Sequence, residues 1–201
     1  MTLADADLET IVVYLRKVLL QNSADLVRAI PVGQRAAAVL APLYLHDGRP
    51  HLLFTQRAET LNAHRGEISF PGGRYEPGDG SLEQTALREA REEIGLAPER
   101  VELLGLLAPV WTVVSNFTIL PFVGLLPTGP GDLRLNSAEV AALIEAPLAE
   151  LANPAIFHVE EWVRGGVARP VYFYDFGPHR IWGATARMLF ELLELLREGK
   201  E

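Results

Sequence analysis

The sequence contains no cysteine. That absence removes disulfide scaffolds, cysteine-based zinc fingers, iron–sulfur clusters and thiol nucleophiles together, and it fits a reducing compartment. Basic residues are also in short supply: 18 Lys and Arg stand against 26 Asp and Glu, a formal net charge of −8. A field of that sign repels phosphates and argues against a nucleic-acid partner or an anionic membrane surface. Any phosphate site must therefore be local, built by a metal or a few arginines. Long hydrophobic runs are missing as well. Residues 36–45 and 117–126 are about half the ~20 residues that a membrane-spanning helix needs. The first seven residues are acidic and lack the basic start of a signal peptide. The expectation is a cytoplasmic protein without a membrane partner.

What is present reads as globular: 49% hydrophobic and 22% charged residues in 201, enough for one good-sized core and too few for two ordinary domains. Leu8, Ile11, Val12, Leu15, Val18 and Leu19 share one helical face, within an N-terminal extension of about residues 5–30 that ends near Asn22, Ser23, Pro31 and Gly33. Residues 37–45 and 52–57 read as a hairpin around His46-Asp47-Gly48. Residues 58–81 read as loop, a helix is expected over 82–94 with Asp79 or Ser81 as its cap, and Gly95 stops it. Strands are expected over 101–109, 117–126, 157–163 and 170–176, with a short apolar run at 139–146 and a helical turn at 147–151. A last helix is capped by Thr185 and ended by Gly199. Many strands, few helices and no regular βα alternation predict an α+β class with a mixed-sheet sandwich.

One segment carries chemistry. On the helix after Gly72-Gly73, Glu89, Glu92 and Glu93 stand at i, i+3 and i+4, which predicts one acidic face. Like charges so placed destabilise an isolated helix by a few tenths of a kcal/mol per pair. A hard divalent cation reverses that cost, since Mg²⁺ takes carboxylate oxygens and keeps several waters. Glycines before the helix permit a tight turn whose carbonyl can join the metal shell. Such a metal polarises a phosphoryl oxygen and acidifies a bound water, so phosphoanhydride hydrolysis follows. The competing reading is a solvated helix face whose Arg88, Arg91 and Glu92 pair at the surface to little effect.

Residues 73–96 resemble the Nudix box, G-x5-E-x7-R-E-U-x-E-E-x-G-U with U aliphatic. Arg88, Glu89, Glu92, Glu93, Gly95 and Leu96 match its fixed positions, and Ala90 fills the first U. Asp79 stands at the first Glu, with eight residues rather than seven before Arg88. Leu53-Phe-Thr-Gln-Arg57 and Gly66-Glu67-Ile-Ser-Phe70-Pro71-Gly72-Gly73 are similar to the signature of the coenzyme A-pyrophosphatase branch, in which that expansion of the box is typical. Glu139-Val140, residues 147–151 and Ile181-Trp182-Gly183-Ala-Thr185-Ala186 are similar too, so the resemblance spans about residues 35–198. Asn62 stands where the branch often has arginine.

The resemblance implies a single domain over 1–201, a Nudix-type α/β/α sandwich with a mixed sheet plus an N-terminal and a C-terminal helix. It implies a Mg²⁺-dependent enzyme (Mn²⁺ as the substitute) acting on coenzyme A or a related nucleotide, and a homodimer by family habit. Glu89 and Glu93 become metal ligands, Glu92 a further ligand or a base, and Gly72 or Gly73 a carbonyl donor. Arg88 ties the helix to the glycine loop. Arg57, His64, Arg65 and Arg74 become candidates to hold substrate phosphates, joined by Glu67 and Asn62. Glu139, Glu145 and Asp132 are candidate late acids, each weighed against an ordinary surface role. Residues 111–117 are a candidate pocket wall, and Trp182 is expected in the core. Other Nudix specificities (NADH, ADP-ribose, nucleoside triphosphates, dinucleoside polyphosphates) and a non-hydrolytic binding module are the alternatives.

Overall fold

A computed structural model describes residues 7–21, 30–31, 33–60, 65–112 and 116–199. The elements run α1 (Leu8–Val18), β1 (Arg35–His46), β2 (Arg49–Arg57), β3 (Ile68–Ser69), β4 (Gly72–Arg74) and α2 (Leu82–Ile94). They continue with β5 (Glu102–Leu106), β6 (Val110–Thr112), β7 (Phe117–Leu125), β8 (Val140–Pro147) and α3 (Leu148–Leu151). Strands β9 (Phe157–Arg164), β10 (Val167–Phe176) and β11 (His179–Trp182) lead into α4 (Gly183–Glu198). No helix among the described residues is long and apolar enough to cross a membrane.

The main sheet has eight strands with the path β3-β2-β1-β7-β5; β4 also pairs with β1, β6 with β7 and β8 with β2. It is mixed: β1 and β7 run parallel, while β1 pairs antiparallel with β2 and β4. Asp47 and Gly48 both take positive φ, +48° and +73°, the left-handed pair that a two-residue hairpin turn requires.

Alternation along β1 explains why both faces of the sheet are covered. Ala38, Leu40 and Tyr44 belong to one buried cluster, and Ala41 and Leu43 to the other. Strand β7 divides the same way, Leu120 and Phe122 against Val123 and Leu125. The first face is covered by α2 through Leu82, Ala86, Ala90 and Ile94, an i, i+4 stripe. The second is covered by α1 (Ile11, Val12, Leu15) and α4 (Leu189, Leu192, Leu193, Leu196). The result is the mixed-sheet sandwich expected from the strand pattern.

Differences fall where the sequence pattern is weakest. Residues 58–81 are not all loop: β3 and β4 lie there, too short to show alternation. The 101–109 stretch is interrupted after Leu106, and pairing resumes at Val110. Strand β11 lies where the sequence pattern shows no strand and runs directly into α4, which begins at Gly183 with Trp182 as its cap, so Thr185 lies inside the helix and does not cap it. Ser81, not Asp79, caps α2, accepting from the Gln84 amide at 3.3 Å. Asn22 and Ser23 lie outside the described residues.

Candidate active site

Strand β4 delivers two glycines to the middle of β1, with Gly73 opposite Ala38 and Gly72 opposite Val39. The two glycines do different work. A Cβ on Gly72 would meet the Ala38 carbonyl oxygen at 2.4 Å and the Val39 α-carbon at 2.6 Å, so only glycine lets β4 lie this close. A Cβ on Gly73 would meet the Glu89 carboxylate, Oε1 at 2.4 Å. The space that a side chain would fill is taken by that carboxylate.

Glu93, one helical turn on, reaches the same stretch and accepts from the Gly72 amide at 3.1 Å. Its residue exposure is only 3%. Burial pushes its carboxyl up to about 7, with the charges of Glu89 and Glu139 adding to the rise and the Gly72 amide and Arg57 opposing it. Glu89 is likewise raised by burial, against the pull of Arg88. Glu92 does not join them. Positions i+3 and i+4 diverge by about 100° around a helix. Its side chain is 55% exposed and accepts from Arg88 Nη1 at 2.8 Å. The single face of three carboxylates expected from spacing is thus a glycine-side pair with a third carboxylate at the rim.

Asp79 has a definite place. Its Oδ1 accepts from Arg88 Nε at 2.6 Å and its Oδ2 from Arg88 Nη2 at 3.1 Å. Oδ2 also takes the Thr85 hydroxyl and the Glu76 amide. The Arg88 guanidinium is the main reason that its carboxyl falls to about 2. Arg88 Nη2 in turn donates to the Arg74 carbonyl at 3.0 Å, and Nη1 lies 3.0 Å from Glu89. One guanidinium therefore joins the loop after β4 to the helix that carries the acids.

Arg57 ends β2 at a register shift against β8. Irregularities of this kind re-aim a side chain. Here Nη1 lies 3.8 Å from Glu93 Oε1, and the buried Nε has no hydrogen-bond partner. Glu139 is brought near by the segment after α2. The Asn136 amide donates to the Glu93 carbonyl, and the Glu139 carbonyl accepts from Ala58. Of the late acids, Glu139 is the one whose charge reaches Glu89 and Glu93. Glu145 instead accepts from the Tyr44 hydroxyl at 2.5 Å, and Asp132 is exposed.

The remaining candidates scatter. The Arg74 guanidinium lies 5.4 Å from the Phe117 ring centroid, near Arg35 at 4.2 Å from the same ring. Arg65 and Glu67 line a cleft of about 270 Å³ shared with Gln56, His179, Arg180 and Trp182. Trp182, expected in the core, is only half-buried at that cleft. Trp111 is 60% exposed on β6. Asn62, His64 and residues 113–115 lie outside the described residues.

Does this set suit a divalent cation? Among the described residues, no three His, Asp or Glu side chains converge on a ready cation site. Two carboxylates, Glu89 and Glu93, do meet the Gly72-Gly73 stretch. An oxygen-only pair in an acidic surround fits Mg²⁺, which binds through one or two carboxylates and completes its shell with water and substrate phosphates. Burying Glu93 also leaves its ionised form disfavoured, a cost that a cation offsets.

A model of the NUDIX domain matches residues 34–163. The Nudix hydrolase NudL of Photorhabdus laumondii is 42% identical over 160 residues, covering 80% of this chain and 84% of that protein. The human mitochondrial coenzyme A diphosphatase NUDT8 is 40% identical over 185 residues, covering 90% and 76%. Among solved structures, a MutT/nudix family protein from Enterococcus faecalis superposes with a TM-score of 0.52 at 14% identity, over 96% of this chain and 69% of that one. That likeness shows the fold alone. The chain belongs to the Nudix family. It is a pyrophosphohydrolase of that family, whose members act on small molecules and generally use divalent metals such as Mg²⁺.

Proposed function

We propose that the chain hydrolyses the pyrophosphate bond of coenzyme A or its derivatives, giving 3′,5′-ADP and 4′-phosphopantetheine. The observation that carries the chemistry is the Glu89–Glu93 pair at Gly72-Gly73, with Arg57 3.8 Å from Glu93. The branch signature at residues 53–73 and the name of the human relative support the substrate.

Glu89 and Glu93 would hold Mg²⁺ or Mn²⁺, with a carbonyl of Gly72 or Gly73 available to the shell. Bound there, the cation neutralises phosphoryl oxygens and acidifies water. The chain's own groups do the rest. Arg57 faces the pyrophosphate with a guanidinium whose buried Nε is unpaired. Arg88 and Asp79 keep the helix in register with the glycine strand, so the carboxylates are aligned before substrate arrives. Glu92, held by Arg88 at the rim, supplies a further ligand or the base. Water adds to one phosphorus, the bridging P–O bond breaks, and the water's proton passes to a base. We read residues 1–201 as one domain with its core at 35–198, because α4 and β10 share a buried cluster with β1 and β2. A cytoplasmic site of action and a homodimer belong to the same reading.

The test incubates the protein and Mg²⁺ with coenzyme A, dephospho-coenzyme A, NADH, ADP-ribose and ATP in parallel, with products identified by mass spectrometry. Fastest conversion of coenzyme A to the two named products is expected. Preference for another of these substrates would replace the specificity and keep the site. No turnover with metal bound would make the chain a binding module.

A further inference from the structure

The cleft lined by Arg65 and Glu67 has two walls from distant parts of the chain. Gln56, Arg65 and Glu67 form one, and His179, Arg180 and Trp182 the other. The first wall is tied to the site. Gln56 precedes Arg57, whose amide donates to the Glu67 carbonyl at 2.9 Å and whose guanidinium approaches Glu93. The second wall lies beyond residues 34–163, the part that matches the family model. The cleft therefore joins the shared hydrolytic apparatus to a C-terminal surface outside the shared domain. A cleft so placed bears on which molecule is cleaved rather than on how a phosphoanhydride breaks.

Its chemistry is specific. Trp182 belongs to an aromatic pile on the β9–β11 sheet, near-parallel to Phe173 at 6.3 Å, with His158 stacked on Phe173 at 4.9 Å. Arg180 is held by Asp175 through Nε at 2.7 Å, one of its five donors. An indole, two guanidiniums and an imidazole against the single carboxylate of Glu67 suit a flat heterocycle carrying a phosphomonoester. The ring stacks, and the phosphate takes charge-assisted hydrogen bonds. A pantetheine arm has neither ring nor charge to offer such groups. We propose that this cleft is the subsite for the 3′-phosphorylated adenosine end of coenzyme A, with Trp182 against the base and Arg65 and Arg180 on the 3′-phosphate. The inference rests on the coenzyme A reading above.

Binding of 3′,5′-ADP and of 5′-AMP to the full chain, measured by calorimetry, tests the subsite apart from turnover. The wild type is expected to hold 3′,5′-ADP about tenfold more tightly, the effect of one or two hydrogen bonds to charged groups. The double variant Arg65→Gln/Arg180→Gln is expected to lose that difference, and Trp182→Ala to weaken both ligands. Both arginines are exposed, and an exposed ion pair such as Arg180–Asp175 adds little stability, so the double variant keeps its fold. Equal affinities in the wild type, or a preference that survives the double substitution, would overturn the proposal. Kinetics separate the two readings. If the wild type does not cleave coenzyme A, the function itself is wrong. If it does, and the ratio of kcat/KM for coenzyme A over dephospho-coenzyme A is the same in the double variant, only the subsite is wrong.

Discussion

Glu93→Gln should make the metal-free protein more stable at pH 8 while it removes most activity. The carboxyl has an ordinary value of 4.5 and is pushed up to about 7 in the fold, so the folded state binds the extra proton between those values. Stability from this group is full below 4.5, declines as pH rises, and is gone above about 7. At pH 8 the buried carboxylate then costs on the order of 3 kcal/mol relative to a neutral isostere. Gln keeps an acceptor for the Gly72 amide and carries no charge. For a chain of this size that corresponds to a rise in Tm of roughly 6 to 12 °C. Thermal unfolding of both proteins in excess chelator, at pH 5 and pH 8, measures it. The gap should shrink to about a quarter at pH 5, where the folded carboxyl is nearly all protonated while the unfolded one, at its ordinary 4.5, is mostly ionised. Adding Mg²⁺ should raise Tm of the wild type and leave the variant unmoved. A variant less stable than wild type at pH 8, or a gap independent of pH, would refute the burial argument. Equal Mg²⁺ stabilisation of the two would refute the assignment of Glu93 as a ligand.

The two glycines should separate stability from activity. Gly72→Ala drives a Cβ into β1 backbone and should destabilise by about 1–3 kcal/mol or more in a denaturant melt. Gly73→Ala first meets the end of the Glu89 side chain rather than backbone and should fold normally, yet lose about a hundredfold in kcat as the carboxylate is displaced. Asp79→Asn removes one of the three carboxylates around Arg88, the one it meets with two donors, and should cost about 1–3 kcal/mol. Because the Asp79 carboxyl is depressed from 3.8 to about 2, its stabilisation is full above 3.8 and lost as pH falls through 2. The variant's melts should lack that acid limb. Chelation should abolish turnover, and added Mg²⁺ should restore it.

The extent to which the site was legible follows from how local each relation is. Glu89 and Glu93 share a helix, and a four-residue spacing sets their common direction without reference to the rest of the molecule. The box glycines and the stop at Gly95 are equally local, the latter at φ +71°. Glu92 shows the limit. Its spacing looked equivalent to that of Glu93, and only the packing of α2 on the sheet, with Ala90 and Ile94 inward, turned one carboxylate into the interior and left the other at the rim. The partner of Asp79 needed the path of residues 74–81, and the value of Trp182 needed a strand of four residues, too short for alternation to announce.

The class, the order of the main elements and the acid-bearing helix follow from local sequence, because periodicity, capping and composition act over a few neighbouring residues. Burial of Glu93 against Gly72, the re-aiming of Arg57 toward it and the closing of a cleft between β11 and β3 came only with the tertiary structure. Those outcomes depend on dielectric and on distances between residues far apart in the chain, and both exist only once the sheet has assembled.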